Sequence, residues 1–346
     1  MKRYSWPLLL LLLLTLPFLA FAINKADLLS YPDYFPTPTY DLKKNPLSTD
    51  KIELGRALFY DPLLSKDGMV SCASCHSPFN AFAHTDHSLS HGVNDSIGTR
   101  NAPALMNLAW HKSFMWDGAI NHLDVQALGP ITHQAEMAET LENVLVKLQN
   151  SIYPELFHKA FGDSVITGEH LLKAISQFQL TLVSDKSKYD LVRQEKANFT
   201  AQEEKGYNLF KNNCASCHSE PLFSSFAFAN NGLPIDTTLN DFGKWSITKQ
   251  PEDSLKFKIP TLRNLSYTYP YMHDGRFTSI RQVLDHYSDG IKHGPTLAKE
   301  LSSSIKLTAN EKVDLISFLL TLNDSTFVFN PKYQYPKEIL MPSARK

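Results

Sequence analysis

The pentapeptide Cys-Ala-Ser-Cys-His occurs twice, as Cys72–His76 and as Cys214–His218, and the two copies hold all four cysteines of the 346-residue chain. Two thiols separated by two residues and followed at once by an imidazole form the attachment signature of a c-type haem. The spacing suits the chemistry. The thiols reach two vinyl groups on one porphyrin edge, and the adjacent histidine lies under the iron as its axial ligand. A zinc site would instead need four N/S ligands, usually from two C-x-x-C units that converge. A two-residue loop closed by a disulfide is redox-active more often than structural. With a histidine after each copy and no cysteine left over, the expected cofactors are two covalent haems. One is held by Cys72, Cys75 and His76, the other by Cys214, Cys217 and His218.

The N-terminus names a compartment that fits this attachment. Lys2 and Arg3 precede an apolar run from Leu8 to Leu14 that continues to Phe21, and Ala20-Phe21-Ala22 has the A-x-A form of a cleavage site. A membrane anchor is the competing reading, but the run is near the lower limit for a span and Pro17 interrupts it. Residues 1–22 are therefore expected to be a signal peptide, with export to a bacterial periplasm or its equivalent. No later segment is apolar enough to cross a bilayer. A formal charge of −1 argues against a nucleic-acid partner, because a phosphate-binding surface needs a marked basic excess.

The chain also reads as an old duplication. Gly55-Arg56-Ala57-Leu58-Phe59 stands before the first motif and Gly206-Tyr207-Asn208-Leu209-Phe210 before the second. Arg100-Asn101 and then Trp116-Asp117-Gly118 follow the first; Arg263-Asn264 and then His273-Asp274-Gly275 follow the second. Thr200-x-x-Glu203 and Thr308-x-x-Glu311 are capping boxes ahead of apolar periodicity. Two more helices are expected near Thr140–Leu148 and Gly168–Val183. Strand signals are sparse. The expected fold is mainly α: two cytochrome c-like domains with long ordered loops, each wrapping one haem. The expected bounds are 23–185 and 186–330, joined through the polar stretch Ser184–Asn198, with a tail over 331–346 that lies on the surface or packs across the pair.

The ordered set of motifs resembles the bacterial di-haem cytochrome c peroxidase family, which includes the MauG-like enzymes. The resemblance runs from about Leu54 to Leu322. It is carried by Leu54-Gly55 through Asp61-Pro62, Arg100-Asn101-Ala102-Pro103, Phe114-Met115-Trp116-Asp117-Gly118, Gln126-Ala127-Leu128-Gly129-Pro130, Glu136-Met137 and Pro270-Tyr271-Met272-His273-Asp274-Gly275. It implies that the N-terminal haem meets peroxide and the C-terminal haem relays electrons. It also implies that Gln126 and Glu136, ten residues apart, line the distal pocket, and that Trp116 stands between the haems. A carboxyl group whose pKa is raised by burial can take and return a proton during O–O cleavage, and an amide can orient the peroxide without titrating. From the residues alone, Glu136 would be a surface helix residue.

The same resemblance implies a distal histidine in the loop after the first motif, for which His91 is the candidate beside His84 and His87. The fifteen residues from His76 to His91 can span about 50 Å, enough to round a porphyrin edge, and Gly92 would let the backbone turn there. On the second haem, family peroxidases place a Met fourteen residues past the His of the Pro-Tyr-x-His-Asp-Gly motif. Here Tyr287 holds that place, as in MauG-like proteins, with Met272 as the competing ligand. A thioether raises a haem potential, whereas a phenolate lowers it. A calcium ion between the domains is implied at Asn101, Thr268 and Pro270, held by few protein oxygens and otherwise hydrated.

Three functions follow from the sequence. The first is a cytochrome-c peroxidase reducing hydrogen peroxide with electrons from a small cytochrome c or cupredoxin, as a monomer or homodimer. The second is a MauG-like oxidase that modifies a residue on a partner protein. The third is a di-haem electron carrier without catalysis, against which the polar pair Gln126 and Glu136 argues. Mass spectrometry of the exported protein should show two haem additions and loss of residues through Ala22; a single addition would contradict the two-centre reading.

Overall fold

A computed structural model describes residues 28–341. The expected signal peptide lies outside the described residues. The chain is mainly helical, and its one sheet among the described residues is a two-residue antiparallel ribbon pairing Phe228 with Lys258 and Ala229 with Phe257.

Each half is built on one helix crossing. In the first, the helix Thr49–Tyr60 crosses the helix Gly168–Leu180 at Gly55, where a Cβ would lie 1.9 Å from the Ala174 carbonyl oxygen. In the second, Ala201–Asn213 crosses Ala309–Leu320 at Gly206, where a Cβ would lie 2.0 Å from the Asp314 carbonyl oxygen. Only glycine lets the backbones approach so closely. One turn on, the rings of Phe59, Phe82 and Phe178 form a triangle with centroids 5.3–6.2 Å apart. Phe210, Phe223 and Phe318 repeat it at 5.2–6.2 Å. All six rings are fully buried. Burying each is worth about 1.5–3 kcal/mol, against roughly 0.5–1.5 kcal/mol for a ring-on-ring contact, so filling the volume matters more than the ring angles.

The structure corrects the register of the duplication. Asn264 takes a left-handed turn, φ +63°, and its N–H donates to Leu322 O at 3.2 Å. Its counterpart is Asn107, φ +55°, whose N–H donates to Leu182 O at 2.8 Å, and not Asn101. The matching segments are therefore Pro103–Trp110 and Pro260–Tyr267. In this register Met115 matches Met272, and both adopt positive φ.

The capping boxes form as expected. Thr200 N–H donates to Glu203 Oε2 at 2.7 Å and Thr308 N–H to Glu311 Oε2 at 2.8 Å. The helices near Thr140–Leu148 and Gly168–Val183 are observed as Leu141–Gln149 and Gly168–Leu180, and a further one, Tyr153–Phe161, lies between them. The polar connection contains a helix, Lys188–Arg193, whose Ser187–Asp190 capping box is buried. The C-terminal tail packs on the first half: Tyr60 Oη donates to Tyr333 O at 2.5 Å, and Arg56 pairs with Glu338.

Asp190 is the second half's fixed point. Arg263 grips it with two hydrogen bonds of 2.7 and 2.8 Å, and neither side chain is exposed. Tyr34 of the N-terminal arm donates to the same carboxylate at 2.8 Å. Burial opposes the charge on Asp190, but the hydrogen bonds and charge of Arg263 win, and its pKa lies below the ordinary value. Its contribution is thus present above the unfolded aspartate pKa of about 3.9 and lost as the pH falls through the lower folded value. Asp190→Asn would leave the Arg263 charge without its counter-ion and should cost about 3–5 kcal/mol in denaturant unfolding at neutral pH. A loss below about 1 kcal/mol would contradict this account of the pair.

Candidate active site

Both attachment motifs present their groups in the form that a covalent haem needs. The four cysteines are free thiols, and Cys72–Cys75 is a single helical turn, so both sulfurs stand on one short segment. His76 Nδ1 is 2.7 Å from the Phe82 carbonyl oxygen. His218 Nδ1 is 3.1 Å from Pro260 O and 3.3 Å from Phe223 O. A carbonyl only accepts, so in each ring Nδ1 carries the proton and Nε2 keeps its lone pair for a metal. Burial lowers both imidazole pKa values to about 4, which keeps the rings neutral. Among the described residues, no three His, Cys, Asp or Glu side chains gather as a metal site, so the two C-x-x-C units do not converge on one ion. The residues fit two haems.

Around the first motif a pocket is lined by Cys72, Cys75 and His76 together with His91, Gln126, Glu136 and a residue not foreseen, Gln179. Glu136 lies outside any helix, in the turn that follows Leu128–Thr132, with 32% of its side chain accessible. Burial raises its carboxyl pKa, and His133 Nδ1, 3.6 Å away, offsets part of that rise. Gln126 Oε1 accepts from Gln179 Nε2 at 3.1 Å, while Gln126 Nε2 faces Met115 Sδ at 3.9 Å. Gln179 is 3% exposed, and its own Oε1 is buried without a partner. An acceptor left open in a pocket of this kind is a place for a bound O–H or water.

His91 shares that pocket. Its ring stacks on His87 with centroids 4.4 Å apart, and His87 Nδ1 is 3.3 Å from His84 Nε2. Gly92 does not turn the chain as expected: its backbone is extended, φ −114°, and the left-handed residues are Asn94 and Asp95. Glycine is required there for close approach. A Cβ would lie 2.3 Å from Ala135 O and 2.4 Å from Glu136 O, and the adjacent Val93 N–H donates to Glu136 O at 2.7 Å. The segments carrying His91 and Glu136 are thus sewn together.

Trp116 lies where the halves meet. Its Nε1 donates to Asn101 O at 2.8 Å, and its carbonyl accepts from the Lys258 N–H at 2.7 Å. Arg100 crosses the seam, bonded to Asp117 at 2.6 Å and to both oxygens of Asp241 at 2.6 and 2.9 Å. Asn101 N–H donates to His273 O at 2.7 Å, and its Nδ2 donates to Ser88 O at 3.0 Å, which leaves Oδ1 as its free ligand atom. Thr268 and Pro270 flank Tyr269 in the turn that leads to His273.

Near the second motif, Tyr287 stands in a π-helical stretch, His286–Gly290, a local irregularity that often marks functional positions. Burial pushes its phenol up to about 12, and the Cys214 and Cys217 thiols lie close enough to add to the rise. The Asn231 amide lies close enough to the Tyr287 phenol to oppose that rise, and its Nδ2 reaches Met272 Sδ at 3.5 Å. Both candidate ligands therefore share one neighbour.

Comparison with known proteins agrees with this geometry. The family described as di-haem cytochrome c peroxidase matches residues 49–198, and cytochrome c matches residues 203–323. The methylamine utilization protein MauG of Methylorubrum extorquens is 36% identical over 304 residues, 84% of this chain and 82% of that protein. The cytochrome c551 peroxidase of Nitrosomonas europaea is 35% identical over 305 residues, 86% and 85% of the two chains. The crystal structure of a MauG-like protein associated with microbial copper homeostasis superposes with a TM-score of 0.78 at 32% identity, covering 89% of this chain and 98% of that one. The chain belongs to the di-haem cytochrome c peroxidase and MauG family.

Gln179 carries no sequence signal of its own: it is one polar residue beside Phe178 and Leu180 in the helix Gly168–Leu180. Its bond engages the Gln126 amide oxygen, while the NH2 faces Met115 Sδ and keeps a second N–H to donate. Gln179→Met should leave two haems attached and lower peroxide turnover about three- to tenfold, the worth of one hydrogen bond of roughly 0.5–1.5 kcal/mol. Unchanged steady-state turnover would show that Gln126 needs no such support.

Proposed function

We propose that this protein reduces hydrogen peroxide to water in the periplasm, drawing two electrons from a small cytochrome c or cupredoxin. The observation that carries the reading is the convergence of Gln126 and Glu136 on the pocket of the first attachment motif. The bound haem pair supplies the electrons and the iron that cleave the O–O bond. The chain's own residues manage protons and position. Gln126, its oxygen engaged by Gln179, donates N–H to the peroxide and orients it. Glu136, as carboxylate, takes the proton from one peroxide oxygen and returns it to the other, whose departure as water needs it. That proton is the peroxide's own, so two further protons from solvent complete the balance: one H2O2, two protons and two electrons give two waters. The raised Glu136 pKa brings the acid and base forms closer to balance near neutral pH.

A MauG-like protein-modifying oxidase is the second reading. Tyr287, at the place where MauG-like proteins carry their tyrosine ligand, favours it. A mere carrier has no use for a half-buried carboxyl group and two amides gathered in one pocket. Among the described residues, no helix is long and apolar enough to cross a membrane.

Glu136→Gln keeps the shape and removes the proton shuttle. It should leave both haem spectra nearly intact and lower turnover by about 10²–10⁴. Undiminished turnover would contradict the assignment. His91 is proposed as the resting cap of the same pocket. His91→Ala should make the first haem high-spin in the fully oxidised protein and let it react with peroxide without prior reduction. An oxidised wild type that is already high-spin there would remove His91 as a ligand and favour the MauG-like reading.

A further inference from the structure

At the seam beside Trp116 stand two partly buried basic side chains that, among the described residues, face no acid of their own. Lys258 ends the short strand Phe257–Lys258. Its Nζ donates to Ser113 O at 3.0 Å and lies 5.8 Å from the centre of the Phe114 ring. Asp117 is the acid that acts on it, but that carboxylate is already bonded to Arg100 at 2.6 Å, and Arg100 in turn is held by Asp241. Among the described residues no carboxylate reaches ion-pair distance of Lys258. His111 stands on the other side, its ring 4.2 Å from Phe226 and 6.0 Å from Phe114. Both His111 nitrogens are shut off from solvent and have no hydrogen-bond partner.

Buried polar groups are almost always paired, and a buried charge without a counter-ion is worse still. Burial accordingly lowers the Lys258 pKa to about 8, and burial followed by the nearby Lys258 charge takes His111 well below its ordinary value. An ammonium without a carboxylate and an imidazole with two unpartnered nitrogens, each near the Phe114 ring, offer two donors to an anion. Among the described residues, none is supplied. The chain path says which anion would arrive. Lys258 lies two residues before Pro260, whose carbonyl orients His218, and Phe226, the ring against His111, follows the Phe223 turn that also faces His218. A c-type haem carries two propionate carboxylates on the edge away from its thioether-forming vinyls.

We propose that Lys258 and His111 cradle haem propionate at the domain seam, Lys258 as counter-charge and His111 as a neutral N–H donor. This rests on the two-haem reading above. Lys258 also donates its main-chain N–H to Trp116 O, so the residue that seats the carboxylate is the residue that seats the indole. The position of Trp116 between the halves is then tied to cofactor insertion.

The test uses the matured protein with Lys258→Met, Lys258→Arg and His111→Phe, after intact mass has established two attached haems in each. Resonance Raman reports the propionate bending bands, and spectroelectrochemistry reports both potentials. Lys258→Met should move the propionate band of one haem and lower that haem's potential, because a positive charge beside it has been removed. Lys258→Arg should stay close to wild type, and His111→Phe should move the same band. Unchanged bands and potentials in both Lys258→Met and His111→Phe, with two haems present, would overturn the cradle and leave the two-haem reading standing. A wild type without attached haem would overturn both. Should Lys258→Met fail to mature, His111→Phe carries the same comparison.

Discussion

Two hydrogen bonds from proximal imidazoles to main-chain carbonyls set the frame on which everything else hangs. Phe82 and Phe223 adopt positive φ, +60° and +54°, an uncommon state for a large aromatic residue. That conformation lets one residue do two things: its ring completes a buried aromatic triangle, and its carbonyl faces the histidine of the attachment motif. The core thus holds the tautomer. With Nδ1–H committed to a carbonyl, Nε2 is the only ring atom left to bind iron. The energy that fixes the orientation of each imidazole comes from packing phenyl rings.

On that common frame the halves diverge where the chemistry requires it. The first half brings a carboxyl and two amides to its pocket, and a close backbone contact at Gly92 joins the histidine-bearing loop to the carboxyl-bearing turn. The second half places Tyr287 and Met272 around Asn231. The seam between them is rigid on both sides: Arg100 spans it with Asp117 and Asp241, and Trp116 is fixed by one bond from each half. An indole held this way would suit the electron-transfer role proposed for it, since no rearrangement is needed at the seam.

The parts of this arrangement that were legible in the sequence are those written in short spacing. The attachment motifs, the capping boxes, and Gly55 and Gly206 ahead of their phenylalanines all depend on a few neighbouring residues, whereas Gln126 and Glu136 come from the family resemblance alone. The parts that were missed depend on tertiary approach. Asn101 was matched to Asn264 because both follow an arginine, whereas the structural partner is Asn107, identified by its left-handed φ and its bond to Leu182. Gly92 looked like a turn residue and is instead a point of backbone contact, since the nearby Glu136 carbonyl belongs to a segment over forty residues away. Gln179 and the π-helical turn at Tyr287 leave no periodic trace. A buried amide is recognisable only once its partner is known.

The central claim is a division of labour: a first haem that is closed at rest and opens for peroxide, and a second haem that takes in the electron. The most direct measurement is a combined optical and EPR titration of the oxidised wild-type protein with one electron equivalent at a time. The account predicts two low-spin ferric haems at the start. It then predicts reduction of the second haem first, with appearance of a high-spin ferric signal from the first. Two haems that stay low-spin through half-reduction, or entry of the first electron at the haem of Cys72 and Cys75, would contradict it.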